Sequence, residues 1–140
     1  MLSTFQFHHI GIATHNISST AQCYIDAGYT ASEIVYDQIQ NVLITFLEKD
    51  GVPLIELVAP PHVQTNNSPV SKMIEKMGVS PYHICYEVDN IEYAVCELKK
   101  KKYLPLSSLA NAVALNNRKI LFLYNKDVGL IELVERSNVV

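Results

Sequence analysis

The chain has 140 residues, 49% hydrophobic and 18% charged, which is enough apolar material for one buried core and argues against a disordered tail. Eleven Lys and Arg against 14 Asp and Glu leave a net charge of −3, with no basic footprint for nucleic acid. No apolar run approaches the roughly 20 residues that cross a bilayer, the start lacks a secretory pattern, and Cys23, Cys85 and Cys96 show no C-x-x-C spacing, so a cytoplasmic protein without a disulfide scaffold is expected.

In chain order, a first apolar strand is expected at about 6–13, followed by a helix capped by Asn16. Ile17, Ala21, Tyr24 and Ile25 share one face of that helix, and Gly28 marks its end. Strands follow at about 32–38, 42–48 and 53–58, with Asp50-Gly51 in the last turn. Pro60-Pro61 stops the strand, 64–67 reads as a surface loop, and Ser68-Pro69 opens a short linker helix running to about 78. A strand at about 80–88 leads to a second helix capped by Asn90, with Ile91, Ala94, Val95 and Leu98 on one face. The four lysines at 99–102 sit where a helix C-terminus favours cations. Strands at about 105–113, 118–124 and 129–135 complete the chain, with Gly129 in the last turn.

The second half repeats the first. His9, Ile10, Asn16 and Ile17 recur 74 residues later as His83, Ile84, Asn90 and Ile91, and Tyr29 recurs as Tyr103. Leu54-Ile55-Glu56-Leu57-Val58 recurs 76 residues later as Leu130-Ile131-Glu132-Leu133-Val134. The expected fold is α+β, a single domain over 1–140 made of two tandem βαβββ modules, about 6–60 and about 80–136. Their strands would form a curved mixed eight-stranded sheet, with helices on its convex face and a cup on its concave face.

Strand alternation sets Glu56 opposite Ile55 and Leu57, and Glu132 opposite Ile131 and Leu133. A carboxylate centred in such a strand is costly unless a charge or metal compensates it, and here it occurs twice at equivalent positions. The early strands carry His9 and His83 in the same way; the repeat selects His9 over its neighbour His8. Brought to one point, two imidazoles and two carboxylates make a sulfur-free ligand set suited to Ni²⁺, Co²⁺, Zn²⁺, Mn²⁺ or Fe²⁺, with positions left for water or substrate. The alternative is a pair of solvent-facing edge glutamates and two satisfied core histidines.

These residues give the chain a resemblance to the vicinal-oxygen-chelate superfamily, which includes glyoxalase I and methylmalonyl-CoA epimerase. The stretches that carry it are His9-Ile10-Gly11-Ile12-Ala13, Ile55-Glu56-Leu57-Val58-Ala59-Pro60, Tyr82-His83-Ile84-Cys85-Tyr86-Glu87-Val88-Asp89-Asn90-Ile91 and Gly129-Leu130-Ile131-Glu132-Leu133. The resemblance implies His9, Glu56, His83 and Glu132 as ligands of a divalent metal (Ni, Co or Zn). It further implies an isomerase or lyase that removes a proton next to a carbonyl through a metal-bound enediolate. Glu132 is the first choice for the base, as the resemblance to glyoxalase I implies, and Glu56 is the second.

Two enzyme readings compete. The region 68–76 and the run from Asp89 to Lys102 are similar to methylmalonyl-CoA epimerase. The stretch 111–119, Asn-Ala-Val-Ala-Leu-Asn-Asn-Arg-Lys, stands where such epimerases carry glycines, and it is more similar to short glyoxalase I-type proteins. Val58-Ala59-Pro60 replaces the asparagine of many glutathione-using glyoxalases. The reading leans to a glyoxalase I-like (lactoylglutathione lyase) enzyme, with an acyl-CoA epimerase as the alternative; the substrate is then the thiol adduct of an α-ketoaldehyde or an acyl-CoA. A non-catalytic antibiotic-binding protein of the same fold is the third reading, disfavoured by the complete ligand set and the absence of Trp. Arg118 and Lys119 are candidates for binding a substrate carboxylate or phosphate. Cys85 reads as a lining residue, the lysines at 99–102 as a solvated helix end or an acyl-CoA phosphate contact, and His15 and His62 as loop residues without a role. Open sheet edges predict a homodimer; no nucleic-acid or membrane partner is expected.

Overall fold

The repeat seen in the sequence is a repeat of structure in the computed structural model, which describes residues 4–61 and 68–137. His62 and the loop expected at 64–67 lie outside the described residues. The chain divides into two compact units, His9–Tyr82 and Met1–His8 with His83–Val140.

The first unit holds most of β1 (Gln6–Ala13), then α1 (Ile17–Asp26), β2 (Thr30–Ala31), β3 (Val35–Asp37), β4 (Val42–Glu48), β5 (Ile55–Ala59) and α2 (Ser71–Met77). β5 lies between parallel β1 and antiparallel β4, and β2 and β3 both pair with β4. Asn16 starts α1 because its side-chain oxygen accepts the Ser19 N–H at 3.0 Å. The helix presses Ile17 and Ala21 onto Ile12, Leu47, Ile55 and Leu57, which form the core of this unit. Gly78, with a φ of 68°, ends α2 by donating its N–H to Ile74 O.

The second unit repeats the plan with β6 (Ser80–Val88), α3 (Ile91–Lys100), β7 (Leu104–Pro105), β8 (Ala110–Ala112), β9 (Arg118–Asn125) and β10 (Gly129–Glu135). β10 is parallel to β6 and antiparallel to β9, and β7 and β8 pair with β9. Asn90 caps α3 through the Tyr93 N–H, while Glu135 accepts the Ile91 N–H. Ile91, Ala94, Val95 and Leu98 pack onto Leu121, Leu123, Ile131 and Leu133.

The fold is α+β with two βαβββ copies, as the repeat predicts, but one strand in each copy differs. The strands expected whole at 32–38 and 105–113 are each broken in two, giving ten strands among the described residues where eight were expected. The breaks have a cause. Ser32 exchanges two hydrogen bonds with Phe46 of β4, its N–H to Phe46 O and its Oγ from Phe46 N, both at 2.8 Å. In the second copy Leu106 N donates to Phe122 O at 2.8 Å and Ser107 Oγ accepts Phe122 N at 3.2 Å. A serine hydroxyl takes the place of a ladder carbonyl, so the strand cannot run on in register. No helix among the described residues is long and apolar enough to cross a membrane.

Candidate functional site

Each unit contains one buried imidazole–carboxylate couple, built by the same strand geometry. In the first, β1 and β5 pair in parallel with Gly11 opposite Glu56. His9, two residues before Gly11, points to the same face. His9 Nε2 and Glu56 Oε1 are 3.4 Å apart, at 0% and 6% side-chain exposure. In the second, Cys85 lies opposite Glu132. His83, two residues before Cys85, brings Nε2 to 3.2 Å from Glu132 Oε1, at 0% and 3% side-chain exposure. Four polar groups are thus withdrawn from water, an arrangement that persists only if each has compensating partners.

The couples have a third member that the sequence reading missed. Phe46 is the cross-strand partner of Glu56, and Phe122 that of Glu132. Phe46 sets its ring near-perpendicular to the His9 imidazole at 5.6 Å and 75°, and Phe122 does the same to His83 at 5.3 Å and 89°. Their separation of 76 residues, the spacing of the two glutamates, was the available signal.

The donor atoms suit a cation. Nitrogen and oxygen ligands about 2.0–2.2 Å from one ion lie about 2.8–3.6 Å from each other in tetrahedral or octahedral arrangements, and both observed N···O separations fall in that interval. Imidazole with carboxylate is a donor set of the borderline-to-hard divalent ions.

The family pattern described as the Glyoxalase/Bleomycin resistance protein/Dioxygenase superfamily matches residues 8–122. The chain belongs to that superfamily. Among curated relatives, the mitochondrial methylmalonyl-CoA epimerase of Mus musculus is 32% identical over 91% of this chain and 71% of its own length. Among solved structures, a hypothetical protein from Bacillus halodurans C-125 superposes with a TM-score of 0.83 at 26% identity, covering 98% of both chains. A Streptomyces coelicolor methylmalonyl-CoA epimerase in complex with 2-nitronate-propionyl-CoA gives 0.79 at 25% identity over 96% of both chains. Similarity to solved superfamily members thus extends over essentially the whole chain. The mouse and Streptomyces proteins carry the name of the epimerase, the alternative given above, and none of the three carries that of the glyoxalase I-type lyase preferred there.

The remaining sequence candidates separate within the superfamily fold. Arg118 lies on the same face of β9 as Phe122 and is engaged: Nη1 donates to Glu87 Oε2 at 2.6 Å, Nη2 meets His8 Nε2 at 3.1 Å, and Nε donates to Leu115 O. Burial alone would raise the Glu87 carboxyl; the Arg118 hydrogen bond, with the nearby Arg118, His8 and Arg136 charges, outweighs it and holds Glu87 below the ordinary carboxyl range. Lys119 points the other way, to α3, where it donates to Glu92 at 3.0 Å on the exposed surface. Cys85 is fully buried beside Glu132. His15 and the lysines at 99–102 are exposed. The stretch where epimerases carry glycines turns on Asn116 and Asn117, with φ of 56° and 60°. Asparagine is among the few non-glycine residues that enter this region, so this loop obtains glycine-like backbone angles without glycine.

Proposed function

We propose that this protein is a divalent-metal-dependent acyl-CoA epimerase, with His9, Glu56, His83 and Glu132 together holding one ion. The observation that carries the reading is the couple that recurs in both copies, buried His Nε2 against buried Glu Oε1 at 3.4 and 3.2 Å. The activity named for the curated relatives supports the epimerase over the lyase, and the positive φ of Asn116 and Asn117 supports a glycine-like turn where the sequence lacks glycines. When bound, such an ion supplies Lewis acidity that polarises a carbonyl and stabilises the negative charge developing as a neighbouring proton leaves.

The chain's own residues do the rest. Glu132 takes the proton from the carbon next to the thioester carbonyl, and Glu56, its counterpart in the repeat, is the second proton carrier, so that configuration is lost at that carbon. A carboxylate in this role contributes about 10²–10⁴-fold. The buried histidines hold the two carboxylates in place, and the apolar strands keep water from competing for the proton. Arg118, four residues and roughly 13 Å along β9 from Phe122, is the candidate contact for a distant anionic part of the substrate; Lys119, paired with Glu92 on the α3 face, is the weaker one. We place the enzyme in the cytoplasm, as a homodimer.

The test is incubation of the protein, loaded in turn with Ni²⁺, Co²⁺ and Zn²⁺, with methylmalonyl-CoA in D₂O. Deuterium at the carbon next to the thioester is the expected result, and light scattering on the same sample reads the homodimer. No exchange with any of the three ions, together with turnover of a methylglyoxal–thiol adduct, would return the assignment to the lyase.

A further inference from the structure

Two phenylalanines belong to the repeat as firmly as the ligand candidates do, and packing alone does not account for their placement. Phe46 and Phe122 are only partly buried, so neither is a core residue in the manner of Leu57 or Leu133. Each is paired with the glutamate of its own copy and set edge-to-face against the histidine of that copy. The backbone of each is also held in an unusual way: at this point the neighbouring strand is broken, and the Phe N–H goes to Ser32 Oγ or Ser107 Oγ instead of a strand carbonyl. A strand interrupted at the same place in both copies, directly opposite the residue that touches the imidazole, is a device for aiming a side chain.

We infer that Phe46 and Phe122 are positioning residues that lock the His9 and His83 rings with Nε2 turned toward Glu56 and Glu132, and that Ser32 and Ser107 fix the phenylalanines. Imidazole rings rotate about χ2 over a broad, roughly two-fold profile, and a near-perpendicular aromatic ring packed against the imidazole restricts that freedom. Partners behind a metal ligand commonly change metal affinity about 10–100-fold when removed. The affinity part of this inference rests on the metal reading; the ring-locking part does not.

The experiment compares Phe122→Leu, Phe46→Leu, Ser107→Ala and Ser32→Ala with Leu133→Ala, a core change in the second unit that leaves Phe122 in place. In metal-free protein, ¹³C relaxation dispersion of the histidine ring carbons reads ring motion directly. Quiet His9 and His83 rings in the wild type and in Leu133→Ala are expected. Microsecond–millisecond exchange should appear at His83 in Phe122→Leu and at His9 in Phe46→Leu, and more weakly in the serine variants, which keep the aromatic ring and the fold. Co²⁺ titration should then show a 10–100-fold weaker affinity for the phenylalanine variants and an unchanged affinity for Leu133→Ala. Rings that stay quiet in all four variants would overturn the inference. Rings that loosen in the variants, when the wild-type protein binds no Co²⁺, would uphold it while removing the metal reading.

Discussion

The two copies agree around the buried histidine–glutamate couple and differ in the residues beside it. Histidine, phenylalanine, glutamate and the serine at the strand break occur in both, with N···O separations that differ by only 0.2 Å, 3.4 against 3.2 Å. Beside them the copies diverge. Gly11 stands opposite Glu56, but Cys85 stands opposite Glu132. The repeat places Ala13 and Val42, both buried, where the second copy has Glu87 and Arg118. The first copy has two apolar side chains there, with buried Asp37 across the ladder from Val42; the second has a part-buried ion pair extended by Arg136, which hydrogen-bonds Asp89 and approaches Glu87 at 3.5 Å. Duplication thus explains the shared set, and the unshared set puts an Arg118–Glu87 ion pair where the first copy has Val42 and Ala13. If the copies divide the chemistry unequally as well, Glu132→Gln should lower deuterium exchange by about 10²–10⁴-fold and Glu56→Gln by clearly less. Exchange rates by NMR in D₂O read both. Equal losses would mean that the two couples carry protons alike, and the asymmetry would then concern only the surroundings.

The comparison can be pressed on the cores. Leu57 and Leu133 are fully buried at equivalent positions, one in each unit. Leu57→Ala and Leu133→Ala should each cost about 2–5 kcal/mol, from lost transfer free energy and the cavity left behind. Urea denaturation measures this. Matched costs would show that the two units support their couples equally, whereas a large difference would identify one copy as the scaffold for the other.

The unshared corner offers a sharper test. Glu87→Ala or Arg118→Val alone strands a charged partner and should cost about 1–3 kcal/mol. The double variant reproduces the first copy's Ala13 and Val42 and should cost less than the two singles together, because no charge is left unmatched. The pH dependence has a definite sign. A carboxyl held below its ordinary value stabilises the fold above that value, near 4.5, and the contribution is lost as pH falls through the lowered folded value. The wild-type urea midpoint should therefore drop on acidification below about pH 4.5, and Glu87→Ala should show a shallower drop.

What could be read in advance follows the same division. The caps Asn16 and Asn90, the apolar helix faces, and the glutamates set among Leu, Ile and Val are local or periodic signals, and repetition doubled each of them. The broken strands were not legible, because Ser32 and Ser107 act through hydrogen bonds to residues about 15 positions away that no periodicity announces. Phe46 and Phe122 read as ordinary strand residues until their partners across the sheet were known. Arg118 and Lys119 could not be told apart in advance for a related reason: one residue of register separates the Phe122 face from the α3 face, and the two neighbours have opposite orientations. The leaning to a lyase turned on the stretch 111–119, whose glycine-like turn is made by Asn116 and Asn117, which composition alone reads as a departure.

The smallest effect is expected where the copies are most alike. Asn16 accepts the Ser19 N–H at 3.0 Å and Asn90 accepts the Tyr93 N–H at 2.9 Å, each from the residue before its helix. The helices they start are not equivalent otherwise. α3 has Glu92 in its first turn, Lys99 and Lys100 in its last, and a second N-terminal contact, the Ile91 N–H donated to Glu135; α1 has no acidic residue in its first turn and no basic residue in its last, and ends on Asp26. Asn→Ala at either cap should cost about 1 kcal/mol. Because Glu135 still satisfies a donor at the start of α3 and the charges there complement the helix dipole, Asn90→Ala should cost less than Asn16→Ala. Urea midpoints of the two variants decide it, and a larger loss at Asn90 would show that these extra contacts do not share the work of the cap.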